Sequence, residues 1–261
     1  RVGVELEGGW LKLPDGASLM RDSSVVVPAP PECQNKDIQA RVQALQQQMA
    51  GPMSPVTYDR LHREAVKLLK SANMFLTGEL PSEPKEVEEF PVWMKKYYPS
   101  HVNATCGLHV HMSFKSAYHY QRLMVEDYQD TMVEYLLRWA KTEKFGDKHP
   151  IWPRLKGQSE FCQLKFDPDR QSFKTRKEYD HHAPGHRYTA ISYAYARYGT
   201  VECRLLPMME EANQGIRAVQ CVIDVTNAFL SVQRKREERL IGEVFVQLGD
   251  DTLRMESYEH I

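Results

Sequence analysis

Three short stretches of the chain set charged side chains two residues apart among apolar ones. They are Gly3-Val4-Glu5-Leu6-Glu7, Leu108-His109-Val110-His111-Met112 and Val201-Glu202-Cys203-Arg204-Leu205. In an extended strand residues i and i+2 share a face. Glu5 then sits beside Glu7, His109 beside His111 and Glu202 beside Arg204, with Val4, Leu6, Val110 and Cys203 turned the other way. Glu79, in Gly78-Glu79-Leu80, ends a fourth strand-like segment. Taken singly, each pair fits the solvent face of an amphipathic strand. Gathered on one face of an antiparallel sheet, four carboxylates would repel one another unless cations lay among them. Carboxylate oxygens with an imidazole suit Mg2+ or Mn2+, whereas Zn2+ stays open if His109 and His111 turn to the same ion. An arginine beside such ions points to a polyanion, most simply a nucleotide polyphosphate.

The elements that must carry these residues follow from pattern and punctuation. Val2 to Leu6 reads as a strand closed by Gly8-Gly9, and Asp22 to Val27 as a second, stopped by Pro28, Pro30 and Pro31. Ile38, Val42, Leu45 and Met49 recur at helical spacing, and Ser54-Pro55 offers an N-cap and first-turn proline for a helix to about Ala72. The two helices form a hairpin inserted at about 34–72. Asn73 to Leu80 is strand-like, Glu86 to Tyr98 helical with an interruption at Pro91, and about His119 to Lys141 a single helix. The polar stretch 142–186 has little periodicity and reads either as solvated coil or as a lid or substrate loop, with Arg154, Lys156, Lys165, Arg170, Lys174, Arg176 and Lys177. Tyr188 to Tyr198 is helical or extended, Thr200 to Leu206 a strand, and Glu210 to about Arg239 a long helix with a solvated, charged end.

Composition removes several function classes. A length of 261 residues with 42% apolar and 26% charged residues suits one globular domain, and a net charge of −1 gives no basic excess for nucleic acid. The five cysteines are dispersed and contain no C-x-x-C, which fits neither a disulfide framework nor a zinc ribbon. A reducing, cytoplasmic setting is expected. No uninterrupted apolar run approaches the roughly 18 residues of a membrane span. No G-x-S-x-G or Cys/His pair calls for a covalent nucleophile, and Cys106 and Cys203 read as packing residues.

With these residues assembled, the chain resembles the amidoligase family of the glutamine synthetase and glutamate-cysteine ligase superfamily. The resemblance rests on GVELE (Gly3 to Glu7), D-x-S (Asp22 to Ser24), GELPSEP (Gly78 to Pro84), CGLHVHMS (Cys106 to Ser113), HRYTAIS (His186 to Ser192) and TVECRLLP (Thr200 to Pro207), in that order. It implies an α+β fold in which an antiparallel sheet curves into a half-barrel with helices on its convex face. It implies ATP bound through Mg2+ or Mn2+, with Glu5, Glu7, Glu79, His109 and Glu202 as metal ligands and Glu83 a further candidate. His111 and Ser113 would face the nucleotide, Arg204 would hold the transferred phosphate, and Arg187 would serve phosphate or a substrate carboxylate. Asp22 and Ser24 fit either a substrate contact or a turn. Ser192 stands where the family often has asparagine.

The activity so implied is ATP-dependent joining of a carboxylic acid to an amine through an acyl phosphate, with catalysis mostly by positioning and electrostatics. The partners are small-molecule or peptide acids and amines, with a homo-oligomer as a further expectation. A metal-dependent hydrolase on the same carboxylate and imidazole face, or a non-catalytic nucleotide-binding relative, are the competing readings.

Overall fold

A computed structural model describes residues 1–20, 24–30, 36–71, 75–166, 188–193 and 199–247. It is an α+β fold on one open, five-stranded antiparallel sheet. The strands are β1 (Val2–Trp10), β2 (Leu76–Pro81), β3 (Gly107–Met112), β4 (Ile191–Ser192) and β5 (Val201–Pro207), in the spatial order β2-β1-β3-β5-β4. Leu6 pairs with Leu80 and Leu108, Val110 with Val4 and Cys203, and Ile191 with Cys203. One face is therefore aliphatic from edge to edge.

That face is roofed by α5 (Glu126–Thr142) and α7 (Ala212–Gln247). Tyr128, Met132, Leu136 and Ala140 of α5 recur every four residues and are buried. Ala218, Val219, Val222, Ile223, Val225 and Phe229 form the matching stripe of α7. The Thr226 hydroxyl lies 2.7 Å from the Tyr128 hydroxyl and bonds the Val222 carbonyl, so the polar atoms between these helices have partners. By length and composition α7 could cross a membrane, but here its stripe is packed into the core. Its charged end is solvated as expected at Arg234, Lys235, Arg236, Glu238 and Arg239, and only Glu237 turns inward, pairing with Arg122 and accepting from the Tyr118 hydroxyl.

The hairpin expected at about 34–72 is α1 (Lys36–Met49) with α2 (Pro55–Ser71). Leu45, Leu61 and Ala65, backed by Met49, Met53 and Leu68, form a cluster apart from the main core. The Ser54 hydroxyl accepts from Thr57 N–H, as an N-cap should.

Several local expectations need correction. Ser24 to Pro30 is not a strand: Val25 and Val27 are buried, but Val26 N–H donates to the Thr105 hydroxyl and Val26 C=O accepts from Asn103. Pro28 and Pro30 lack the N–H groups a ladder would need. Pro91 stands in the first turn of α3 (Phe90–Tyr97) instead of interrupting it, since a proline there costs no hydrogen bond. The helix expected from His119 to Lys141 is two, α4 (Ala117–Leu123) and α5, because Val125 is extended. The break frees the Leu123 carbonyl to accept from the Tyr193 hydroxyl. Within 142–186 a short helix, α6 (Ile151–Leu155), packs on β5. Residues 167–186 of that stretch lie outside the described residues, as do Asp22, Ser23, Arg187 and 194–198.

The separate hairpin cluster gives a test by hydrogen exchange. Leu61→Ala is expected to speed exchange across 36–71 while β1 and β3 keep their protection. Leu108→Ala, in the middle of the sheet, is expected to lower global stability by about 2–5 kcal/mol.

Candidate metal and anion site

The opposite face of the sheet carries the charges, and strand register brings them together. Glu5 stands directly across from His109, Glu7 across from Glu79, and His111 across from Glu202. Between β3 and β5 the register shifts by one: Leu108 pairs with Leu206 but Val110 with Cys203, so His109 alone opposes Arg204 and Leu205. This bulge keeps Cys203 and Leu206 on the aliphatic face despite their odd spacing. It also leaves Arg204 beside Glu202, where its Nη1 donates to Oε1 at 2.5 Å.

The charged face is buried at its centre and half-buried at Glu5, Glu79, His111 and Arg204. His109 is 2% exposed, Glu7 4% and Glu202 8%, so the solvent-facing alternative is excluded for them. His109 Nδ1 lies 3.1 Å from Glu5 Oε2 and 3.6 Å from Glu202 Oε1, and its Nε2 lies 3.6 Å from Glu7 Oε1. His111 Nε2 is 3.0 Å from Glu5 Oε1, and its Nδ1 is 3.3 Å from the Thr200 hydroxyl. Two sets of three could each hold a metal ion, with ligand atoms within 4.8 Å of one another: Glu5, His109 and Glu202, and Glu7, Glu79 and His109. A neutral imidazole offers a lone pair on one nitrogen only. His109 can therefore serve one ion directly while its other nitrogen, as N–H, faces the carboxylates of the second set.

The electrostatics are those of carboxylates buried at a cost. Burial alone would raise Glu5, but hydrogen bonds with His109 and His111 and the charge of His111 hold its carboxyl well below the usual range. Burial likewise opposes ionisation of Glu202, and Arg204, His111 and His109 together keep it low. His111 is pushed down by burial and more strongly up by Glu5 and Glu202. Arg204 is held fully charged, because Glu202, Glu7 and Glu5 outweigh its desolvation. Glu5, Glu7 and Glu202 act on the Arg204 guanidinium, and Glu7 acts on Arg154 as well. The hard oxygen donors of the two carboxylate and imidazole sets suit a divalent cation.

Other motif residues have structural work. A Cβ on Gly107 would lie 2.5 Å from His109 Nε2 and 3.0 Å from Glu7 Oε2, and Gly107 N–H donates to Glu7. Only glycine leaves both groups in position there. Ser82 of GELPSEP exchanges bonds with Val4, its hydroxyl accepting from Val4 N–H and its own N–H donating to Val4 C=O. Cys106 and Cys203 are buried thiols whose pKa burial pushes up, which suits packing.

Of the residues singled out in the sequence, Glu5, Glu7, Glu79, His109, His111, Glu202 and Arg204 share this one face. Ser113 lies beyond β3 at the rim, its N–H bonded to Arg1 C=O. Arg187 and Asp22 are outside the described residues. Arg154 is a correction: it is not on solvated coil but 3% exposed, on α6. The apolar flanks in Ile151-Trp152-Pro153-Arg154-Leu155 were the available signal.

Comparison of the chain with protein-family models, curated proteins and solved structures gave no match.

Two outcomes follow from the geometry. The lowered carboxyls of Glu5 and Glu202 contribute stability above the ordinary carboxylate range, which is lost as pH falls through their lowered values. The raised His111 contributes below the ordinary histidine range, and its share is lost as pH rises through its raised value. Cation-free protein should therefore be most stable between these limits. Mn2+ should raise Tm more at about pH 8 than at about pH 6, where protonated His111 pairs with Glu5 in competition with the cation. Separately, Gly107→Ala should remain folded, lose about 1–3 kcal/mol in urea unfolding and bind Mn2+ at least about tenfold more weakly.

Proposed function

We propose that this chain is an ATP-dependent carboxylate-amine ligase requiring Mg2+ or Mn2+. The observation that carries the reading is the buried Nε of Arg204. It has no hydrogen-bond partner among the described residues, and it stands beside two carboxylate and imidazole sets of the kind that bind hard cations. A donor left in that state next to cation ligands suits an anion bridged to the ions, as a polyphosphate is. The order of motifs along the chain, from GVELE to TVECRLLP, supports the same reading.

When bound, the cations would neutralise phosphate charge and ATP would supply the phosphoryl group that activates a carboxylic acid. The chain's own contribution is positioning. Glu5, Glu202 and His109 Nδ1 would hold one ion, and Glu7 and Glu79 the other, with His109 Nε2 turned toward Glu7. Arg204 would draw the phosphate oxygens toward the Glu202 side. His111, held between Glu5 and Thr200, would bind the nucleotide. Burial of the face would keep water from an acyl phosphate. The half-barrel curvature with helices on the convex side belongs to this reading, supported by α5 and α7 lying on the aliphatic face. Acid and amine substrates of low molecular weight or peptide nature, a homo-oligomeric state and a cytoplasmic location go with it.

The test is ADP release that depends on Mg2+ and on an added acid, with hydroxylamine trapping the activated acid as its hydroxamate. Glu5→Ala and Glu202→Ala should each reduce turnover by at least about a hundredfold. His109→Ala should chiefly lower kcat, and His111→Ala chiefly raise KM for ATP. Amide or phosphoester cleavage without ATP would instead favour a hydrolase. ATP binding without turnover over a wide panel of acids and amines would favour a non-catalytic relative.

A further inference from the structure

Arg154 is a buried guanidinium on the five-residue helix α6, anchored by its buried neighbours Ile151 and Leu155. Its hydrogen bonds among the described residues go to main-chain carbonyls: Nη1 to Arg204 C=O at 3.0 Å, and Nη2 to Cys106 C=O at 3.4 Å. Burying this cation against two neutral carbonyls is costly unless its charge acts on something beyond them.

Both acceptors belong to the charged face. The Cys106 carbonyl and the Gly107 N–H are two ends of one peptide group, and that N–H donates to Glu7. A cation on the carbonyl polarises the amide and strengthens its donation. Glu7 is also among the charges that act on Arg154 directly. The second acceptor, Arg204 C=O, lies in the bulge opposite His109, where the ladder of β3 and β5 is interrupted. Holding that carbonyl fixes the backbone from which Arg204 reaches Glu202.

We propose that Arg154 is a positioning residue for the cation site, acting on Glu7 through the Cys106–Gly107 peptide and on Arg204 through the β5 bulge. The assignment rests on the cation site described above for its consequence, but its geometry is independent of any metal. A merely structural arginine would affect stability alone.

The decisive probe is the Gly107 amide in metal-free protein, resolved by 15N-glycine labelling among 14 glycines. Arg154→Met should move its proton upfield, in the direction Glu7→Gln moves it. The double variant should move it no further than Glu7→Gln alone. Arg154→Lys keeps the charge and can reach one carbonyl. It should shift the same amide less, and it covers the case in which the methionine variant does not fold. In Mn2+ titrations read by electron paramagnetic resonance, Arg154→Met should weaken binding about 10- to 100-fold and Arg154→Lys less. A Gly107 amide unmoved in whichever variant folds overturns the positioning role, whatever the metal result. Wild-type protein that binds no Mn2+ while Gly107 shifts as expected overturns the cation site and supports the positioning.

Discussion

The dominant constraint in this structure is the burial of several carboxylates on one face of a sheet whose other face is the hydrophobic core. Ionised carboxylates in a poorly solvated place are unfavourable singly and more so together. The molecule meets this with Arg204 hydrogen-bonded to Glu202, imidazoles set between carboxylates, Gly107 N–H on Glu7 and a guanidinium from outside the sheet. These contacts lessen the charge without cancelling it. A site so arranged has the ligand atoms to hold a cation.

The other face makes that arrangement affordable. Leu6, Leu108, Val110, Cys203 and Leu206 interlock with the buried stripes of α5 and α7, and each fully buried aliphatic side chain contributes about 1.5–3 kcal/mol. The strands that carry the charges are thereby packed against the core along their other face. The hairpin of α1 and α2 stands apart from this economy, since its small cluster is not continuous with the main core.

Small backbone devices do much of the aiming. The bulge in β5 lets one strand turn three apolar residues, Val201, Cys203 and Leu206, to the core while Glu202 and Arg204 stay on the other side. Its trace in the sequence is the doublet Leu205-Leu206, which a strict alternation does not allow. Gly107 admits the His109 ring and the Glu7 carboxylate into the space a side chain would fill.

Much of the candidate site was legible from period alone. Alternation along Val2 to Glu7, Leu108 to Met112 and Val201 to Arg204 assigned each charged residue its face, because side-chain direction in a strand is a local property of the backbone. The helix pair at 36–71 was legible for a similar reason, through apolar spacing and the Ser54-Pro55 start. What local pattern could not supply was the pairing of distant strands. Only the register of β1, β2, β3 and β5 decided that Glu5 meets His109, Glu7 meets Glu79 and His111 meets Glu202. The role of Arg154 was hidden in the same way. Its partners, at Cys106 and Arg204, are 48 and 50 residues away in the chain, and a contact between main-chain carbonyls and a distant guanidinium leaves no periodic mark. The sequence by itself determined which residues carry charge and which way each strand turns them. The tertiary structure alone decided that those charges share one largely buried place.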